Sequence, residues 1–308
     1  MLRENIFNIL KNETAIDAIH PPKITNIDFW FSKEVVKNLT VIKHCIDKIN
    51  NKGIKTLFYV PFSETVRDCS YTRNNEFKLY RIKPEDMLNF NPDVIGLFFK
   101  RLSDVIAFYK MFYLPNLTDT TNVIVQDKMF ERHKDNYNVV LTSPPYGDSR
   151  TTVAYGQFST LSNEWLGIDN ARKIDAQLMG GKKCTEIIAK GCIAEPIYEI
   201  KQQNNKRAIE VSAFYHDLET SIKQVAYSIK PKGKSIYVVG NRKVKNTELP
   251  TDQFIAEKFE ENGFKHLTTY KRLLSNKAMP SRNSPTNEAG KTVNTMLYEY
   301  IVICEKNP

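Results

Sequence analysis

The residues best suited to chemistry lie together in Asn138-Val-Val-Leu-Thr-Ser-Pro-Pro-Tyr-Gly-Asp-Ser149. Val139, Val140 and Leu141 form a short apolar run that stops at two consecutive prolines, which reads as a buried strand entering a rigid loop. Each proline fixes its own φ at about −65° and moves the preceding residue out of the helical region. Ser143 and Tyr146 are thereby held in a nearly fixed relation at the carboxyl end of a strand, the edge where open α/β sheets bind ligands. Such a loop suits chemistry that needs a small planar group held still. A purely structural Pro-Pro turn is the alternative.

Other chemistries find little support. The five cysteines and five histidines are scattered and form no CxxC pair, so neither a disulfide framework nor a zinc site is indicated. No Pro-Cys dipeptide occurs. In 308 residues, Lys plus Arg outnumber Asp plus Glu by 44 to 35, and a net charge of +9 suits a polyanionic partner. A composition of 41% hydrophobic and 26% charged residues is that of an ordinary globular chain. No run approaches the length of a membrane span and the first residues do not resemble a signal peptide, so a reducing cytoplasm is expected.

The elements that must position the loop read in chain order as follows. Residues 1–120 look mainly helical. Ser32 is a candidate cap for a helix carrying Val35, Leu39, Ile42, Ile46 and Ile49, ended by Asn51-Lys52-Gly53. The next stretch is expected to be a helix with Arg67 and Arg73 on or near its exposed side, where with Lys78 and Arg81 they meet DNA phosphates or simply form a solvated face. Asp93 to Leu114 fits a largely buried helix whose aromatics belong to the core. Residues 121–308 read as an α/β region, opening with Asn122-Val-Ile-Val-Gln-Asp127, a strand ending in an acid that could equally cap a helix. A polar, lysine-rich insert at 169–211 contains Lys182 and Lys183; it is either a DNA-contacting element or a solvated excursion. Ser212 is the expected cap of an amphipathic helix, followed by a strand ending at Gly240, with Asn241 and Arg242 on the same sheet edge as Tyr146 and facing the cleft. A helix from Thr251 to Asn262, a strand from Lys265 to Leu274, a long basic loop with Lys277 and Arg282, and a last strand from Met296 to Cys304 complete the chain.

Thr142-Ser143-Pro144-Pro145-Tyr146 resembles the Ser-Pro-Pro-Tyr signature of amino-methylating DNA methyltransferases. The continuation Gly147 to Ser159 looks like that of the cytosine-N4 enzymes of restriction–modification systems. The resemblance implies a Rossmann-like class I methyltransferase sheet, S-adenosylmethionine as cofactor and double-stranded DNA as substrate. It further implies that Ser143, Pro144 and Pro145 orient the exocyclic amine of a flipped base, with Ser143 also at the cofactor and Tyr146 stacking on the base. Asp127 matches the acid that binds the cofactor's adenine amine. Arg150, Lys182, Lys183, Arg242, Lys277 and Arg282 are the candidate DNA contacts. Adenine N6 is the alternative target, and a non-catalytic DNA-recognition or scaffold subunit is the alternative from another class.

One part of that family's machinery is missing. Its cofactor loop needs glycines in a Gly-x-Gly array after the first strand, for close backbone approach. None of the twelve glycines here stands in such an array. An acid-ended second strand is also lacking. The expectation is therefore a second protein chain that supplies the cofactor-binding strands.

Overall fold

The structure, a computed structural model, describes residues 2–73, 78–117, 134–147, 155–274 and 297–308, with the backbone alone at 282–283 and 293–294. The chain divides into two compact units, one of Met1–Val125 with Ala154–Ile174, the other of Gln126–Val153 with Asp175–Pro308. No helix among the described residues is long and apolar enough to cross a membrane.

The first unit is helical. Its longer helices are α1 (Leu2–Leu10), α2 (Lys33–Asp47), α3 (Lys52–Asp68), α4 (Val94–Phe108) and α5 (Tyr155–Trp165). Ser32 caps α2 as expected, its Oγ accepting from Val35 N at 3.3 Å, and Val35, Leu39, Ile42 and Ile46 are buried along one face. The helix stops at Asp47. Gly53 lies in the first turn of α3, where Asn51 Oδ1 accepts from Ile54 N at 3.0 Å. Trp165 at the end of α5 is fully buried, edge-on to Phe31 and Phe62 with ring centroids 5.9 and 6.2 Å away.

Two expectations for this unit fail. Arg67 is only 6% exposed, its guanidinium 4.3 Å from the Phe158 ring and donating to the Phe158 carbonyl at 2.8 Å. Helix α5 packs on that flank of α3, so a position that periodicity alone leaves at the surface is covered. The aromatic run after Leu102 is not core either. Phe108, Met111 and Phe112 are exposed, although Phe108 and Phe112 pack on each other, because the burying contacts of α4 come from its earlier turns at Val94, Phe98 and Leu102.

The second unit is mixed α/β, built on a four-stranded mixed sheet among the described residues. Strands β1 (Tyr137–Thr142), β2 (Ile229–Val239), β3 (Phe264–Leu273) and β4 (Tyr298–Lys306) lie in the order β1-β2-β4-β3. β1 runs parallel to β2, and β4 runs antiparallel to both β2 and β3. Helices α6 (Ala194–Gln203), α7 (Asn205–Ser228) and α8 (Thr251–Glu261) complete the unit. Phe214, Leu218 and Ile222 of α7 and Phe254 and Phe259 of α8 join Tyr237, Val239, Val302 and Cys304 in one core. Gly263 adopts φ +81° between α8 and β3, a turn that favours glycine.

The insert at 169–211 is partly core. Ile193, Ile197 and Ile200 are fully buried, at helical spacing that its many polar residues mask. α7 begins seven residues before Ser212, capped by Asn204, whose Oδ1 accepts from Arg207 N at 2.9 Å. Ser212 is an interior, buried residue that donates to the Ala208 carbonyl at 2.9 Å and accepts from Ile188 N at 3.2 Å.

Replacing Trp165 by Ala removes the largest fully buried side chain of the helical unit. The expected cost is about 3–5 kcal/mol, read as a lower denaturant midpoint at unchanged slope. A loss below about 1 kcal/mol would show that this core is not closed around the indole.

Candidate functional site

The Pro-Pro loop leaves the sheet where β1 ends. Thr142 is in register with Tyr237 of the parallel strand β2, so Ser143 to Tyr146 stand over the carboxyl ends of both strands. Ser143 is exposed, and the half-buried Tyr146 packs against the core of the second unit. The Tyr146 hydroxyl donates to Glu299 Oε1 at 2.9 Å, and the Ser143 hydroxyl donates to the Tyr146 oxygen at a long 3.4 Å.

Glu299 reaches this edge because β4 runs against its neighbours, so that its first residues lie where β1 and β2 finish. Its cross-strand partner on β3 is Arg272, whose guanidinium bonds the other carboxylate oxygen. The Glu299 side chain is 13% exposed and the Arg272 side chain 58%. Burial alone would push the Glu299 carboxyl up, but the hydrogen bonds from Arg272 and Tyr146, with the Arg272 charge, bring it below the ordinary carboxylate value. Burial pushes the Tyr146 phenol up; the Glu299 contacts add to this, and the Ser143 hydrogen bond works against it. At neutral pH the arrangement is therefore a protonated phenol donating to an ionised carboxylate. Such a group can hold a ring in place; it is not a titrating general base. Lys271, next along β3, lies 4.1 Å from the Tyr298 ring centroid.

The other expected site residues fare variously. Lys182 and Lys183 are exposed on a loop of the second unit. Arg242 is half-buried just beyond β2, its carbonyl accepting from Leu249 N at 2.9 Å. Asn241, expected to face the cleft, is half-buried and bonded to the start of α8. Its side chain donates to Asp252 Oδ1 at 2.8 Å and accepts from Asp252 N at 3.2 Å, holding the start of α8. Asp127, Arg150 and Lys277 lie outside the described residues, and Arg282 is described only in its backbone, paired with Asn294. Glu299 and Arg272 are site residues that sequence reasoning misses. The available signal is an acid near the start of an otherwise apolar run, Tyr298-Glu299-Tyr300-Ile301-Val302.

Gly147 and Gly240, the glycines that follow β1 and β2, stand alone and not in a Gly-x-Gly array. β1 is the outer strand of the described sheet, and Tyr137, Val139 and Leu141 are exposed along it, Leu141 by 70%.

No protein-family profile matches the chain. Over an alignment 316 positions long, covering 96% of this chain and 70% of the relative, it is 41% identical to the Type II methyltransferase M.MvaI of Kocuria varians. Among solved structures, TTHA0409 of Thermus thermophilus, provisionally described as a DNA modification methylase, aligns in its S-adenosyl-L-methionine complex over 57% of this chain and 49% of that one, at 18% identity and a TM-score of 0.27. Its selenomethionine derivative aligns over 37% of this chain and 42% of that one, at 21% identity and a TM-score of 0.24. Overlaps of that size leave the sequence relative to carry the assignment.

The Glu299 carboxyl titrates below its unfolded value of about 4.3 in the folded chain. Its stabilising contribution is thus present above that value and is lost as the pH falls through the folded one. Denaturant unfolding of the wild type and E299Q should differ most near neutrality and converge as the pH falls through the lowered folded-state value. A difference independent of pH would show that the carboxylate is not held in this way.

Proposed function

The chain belongs to the family of Type II methyltransferases, and from that premise we propose that it is the catalytic-loop part of a DNA methyltransferase acting on the exocyclic amine of a flipped base, cytosine N4. The observation that carries this reading is the Ser143–Tyr146 loop at the carboxyl end of β1, with the tyrosine tied down by its hydroxyl. A base taken out of the duplex needs a π-face and polar partners for its pairing edge. The Tyr146 ring supplies the first. Ser143 Oγ and the Pro144 carbonyl supply acceptors for the two N–H bonds of an amine, leaving the nitrogen lone pair directed out of their plane. The prolines keep those acceptors in place as the base enters, so little reorganisation accompanies reaction. The scheme requires no group of unusual basicity. Adenine N6 offers the same two N–H bonds, and analysis of the methylated nucleoside distinguishes the targets.

S-adenosylmethionine would supply an electrophilic methyl group, with Ser143 beside it and Asp127 at its adenine. These residues alone do not fit the whole cofactor, because the glycine-rich approach to its amino-acid end is lacking. The reading therefore includes a second chain that pairs with β1 and brings that loop. The free outer edge of β1 among the described residues and its exposed Val139 and Leu141 support such pairing. The net charge of +9 suits the DNA partner.

Two measurements test this reading. Calorimetric titration of the chain alone with S-adenosylmethionine should give no binding heat, and binding should appear on co-expression with a polypeptide carrying the glycine-rich loop. Tight binding by the isolated chain would sink the two-chain arrangement. Tyr146→Ala should lower methyl transfer about 10- to 100-fold through lost stacking while DNA binding persists. A chain that binds DNA but shows no transfer in any assembled form is the recognition subunit of the alternative reading.

A further inference from the structure

The two prolines fix the backbone of the loop, but they do not fix the side-chain torsions of Tyr146. An aromatic platform attached only at its Cβ swings about χ1 and χ2. Here the far end of the ring is also attached. The phenol oxygen lies 2.9 Å from Glu299 Oε1, and the opposite carboxylate oxygen is taken by Arg272 from the adjacent strand. Attachment at Cβ and at the para oxygen fixes the direction of the ring's long axis, and packing of the half-buried ring against the core limits its turn about that axis. The Glu299 side chain is largely withdrawn from water, so its two oxygens need these two donors, and removing either leaves a costly vacancy.

The carboxylate also gives the chain of hydrogen bonds a direction. An ionised carboxylate only accepts, so the Tyr146 proton points at Glu299, and the phenol oxygen is left to accept. The Ser143 hydroxyl is placed to donate to it, at 3.4 Å. A serine that donates toward the tyrosine turns its lone pairs elsewhere, as an acceptor of amine N–H bonds must.

We propose that Glu299, held by Arg272, is the positioning residue that fixes the direction of the Tyr146 ring axis and of the Ser143 hydroxyl during methyl transfer. This rests on the reading in which Tyr146 carries the base. Glu299 touches no substrate in this scheme and acts through the phenol alone.

The test compares Y146A, Y146F, E299Q and the Y146F/E299Q double variant in the assembled enzyme, with tritiated S-adenosylmethionine and unmethylated genomic DNA. Y146F keeps the ring and removes only the hydroxyl. Y146F and E299Q should each lower kcat about tenfold, with KM for DNA changed less than about threefold, and the double variant should be no slower than the worse single one. Multiplicative losses in the double variant would show that Glu299 does not work through the phenol, and the proposal falls. Wild-type kcat in Y146F and E299Q beside an inactive Y146A also overturns it, while leaving the proposed function standing. An active Y146A removes the function reading itself. Denaturant unfolding of the same variants of the chain gives a second readout: additive effects of Y146F and E299Q mean the two side chains are uncoupled, which again overturns the proposal. Should E299Q fail to fold, Y146F decides by its kcat alone.

Discussion

The sheet of the second unit turns on one reversal of chain direction. β4 enters between β2 and β3 against the run of both, so residues at its beginning sit beside residues at their ends. Were it parallel, the acid at its second position would lie at the far edge of the sheet. The reversal brings Glu299 from the last strand to the edge from which the Pro-Pro loop departs, across a separation of 153 residues. Backbone ladder bonds enforce that register, so its precision does not rest on flexible surface groups.

The parts of this arrangement that are legible in the amino-acid order are those set by neighbours in the chain. Two prolines after three apolar residues define the loop whatever surrounds them. Ser32 caps its helix because a hydroxyl just before an apolar period satisfies an orphan amide. The partnership of Glu299 with Arg272 is not legible, because it depends on a pairing register between strands far apart in the chain, and neither side chain announces it. Ser212 misleads for a local reason. A serine within a helix can return its hydroxyl to the carbonyl four residues back, as it does to Ala208, and periodicity cannot separate that from a cap.

Expectations of burial fail in both directions, with one cause. Periodicity puts Arg67 at the surface and it is inside; it puts Phe108 and Phe112 in the core and they are outside. Periodicity reports which residues share a helix face. It does not report how far along that face another helix extends. α5 covers Arg67 and supplies the Phe158 ring and carbonyl that make a buried guanidinium tolerable, whereas on α4 full burial ends at Leu102 and packing thins to the partly buried Ile106 before Phe108. The buried isoleucines of α6 show the converse, a short apolar stripe inside a segment whose composition is polar.

The composition of β1 bears on how the protein has to be handled. Natural sheet edges carry lysines, prolines or bulges that discourage another strand from adding to them. Tyr137-Asn-Val-Val-Leu-Thr142 has no charged residue and no proline, and its exposed side chains are largely apolar. A strand so composed is suited to an interior place in a wider sheet. Left as the outermost strand it offers a template to any other copy of itself, so self-association should rise with concentration. Purification yield is then governed by what covers this strand more than by the stability of the fold beneath it.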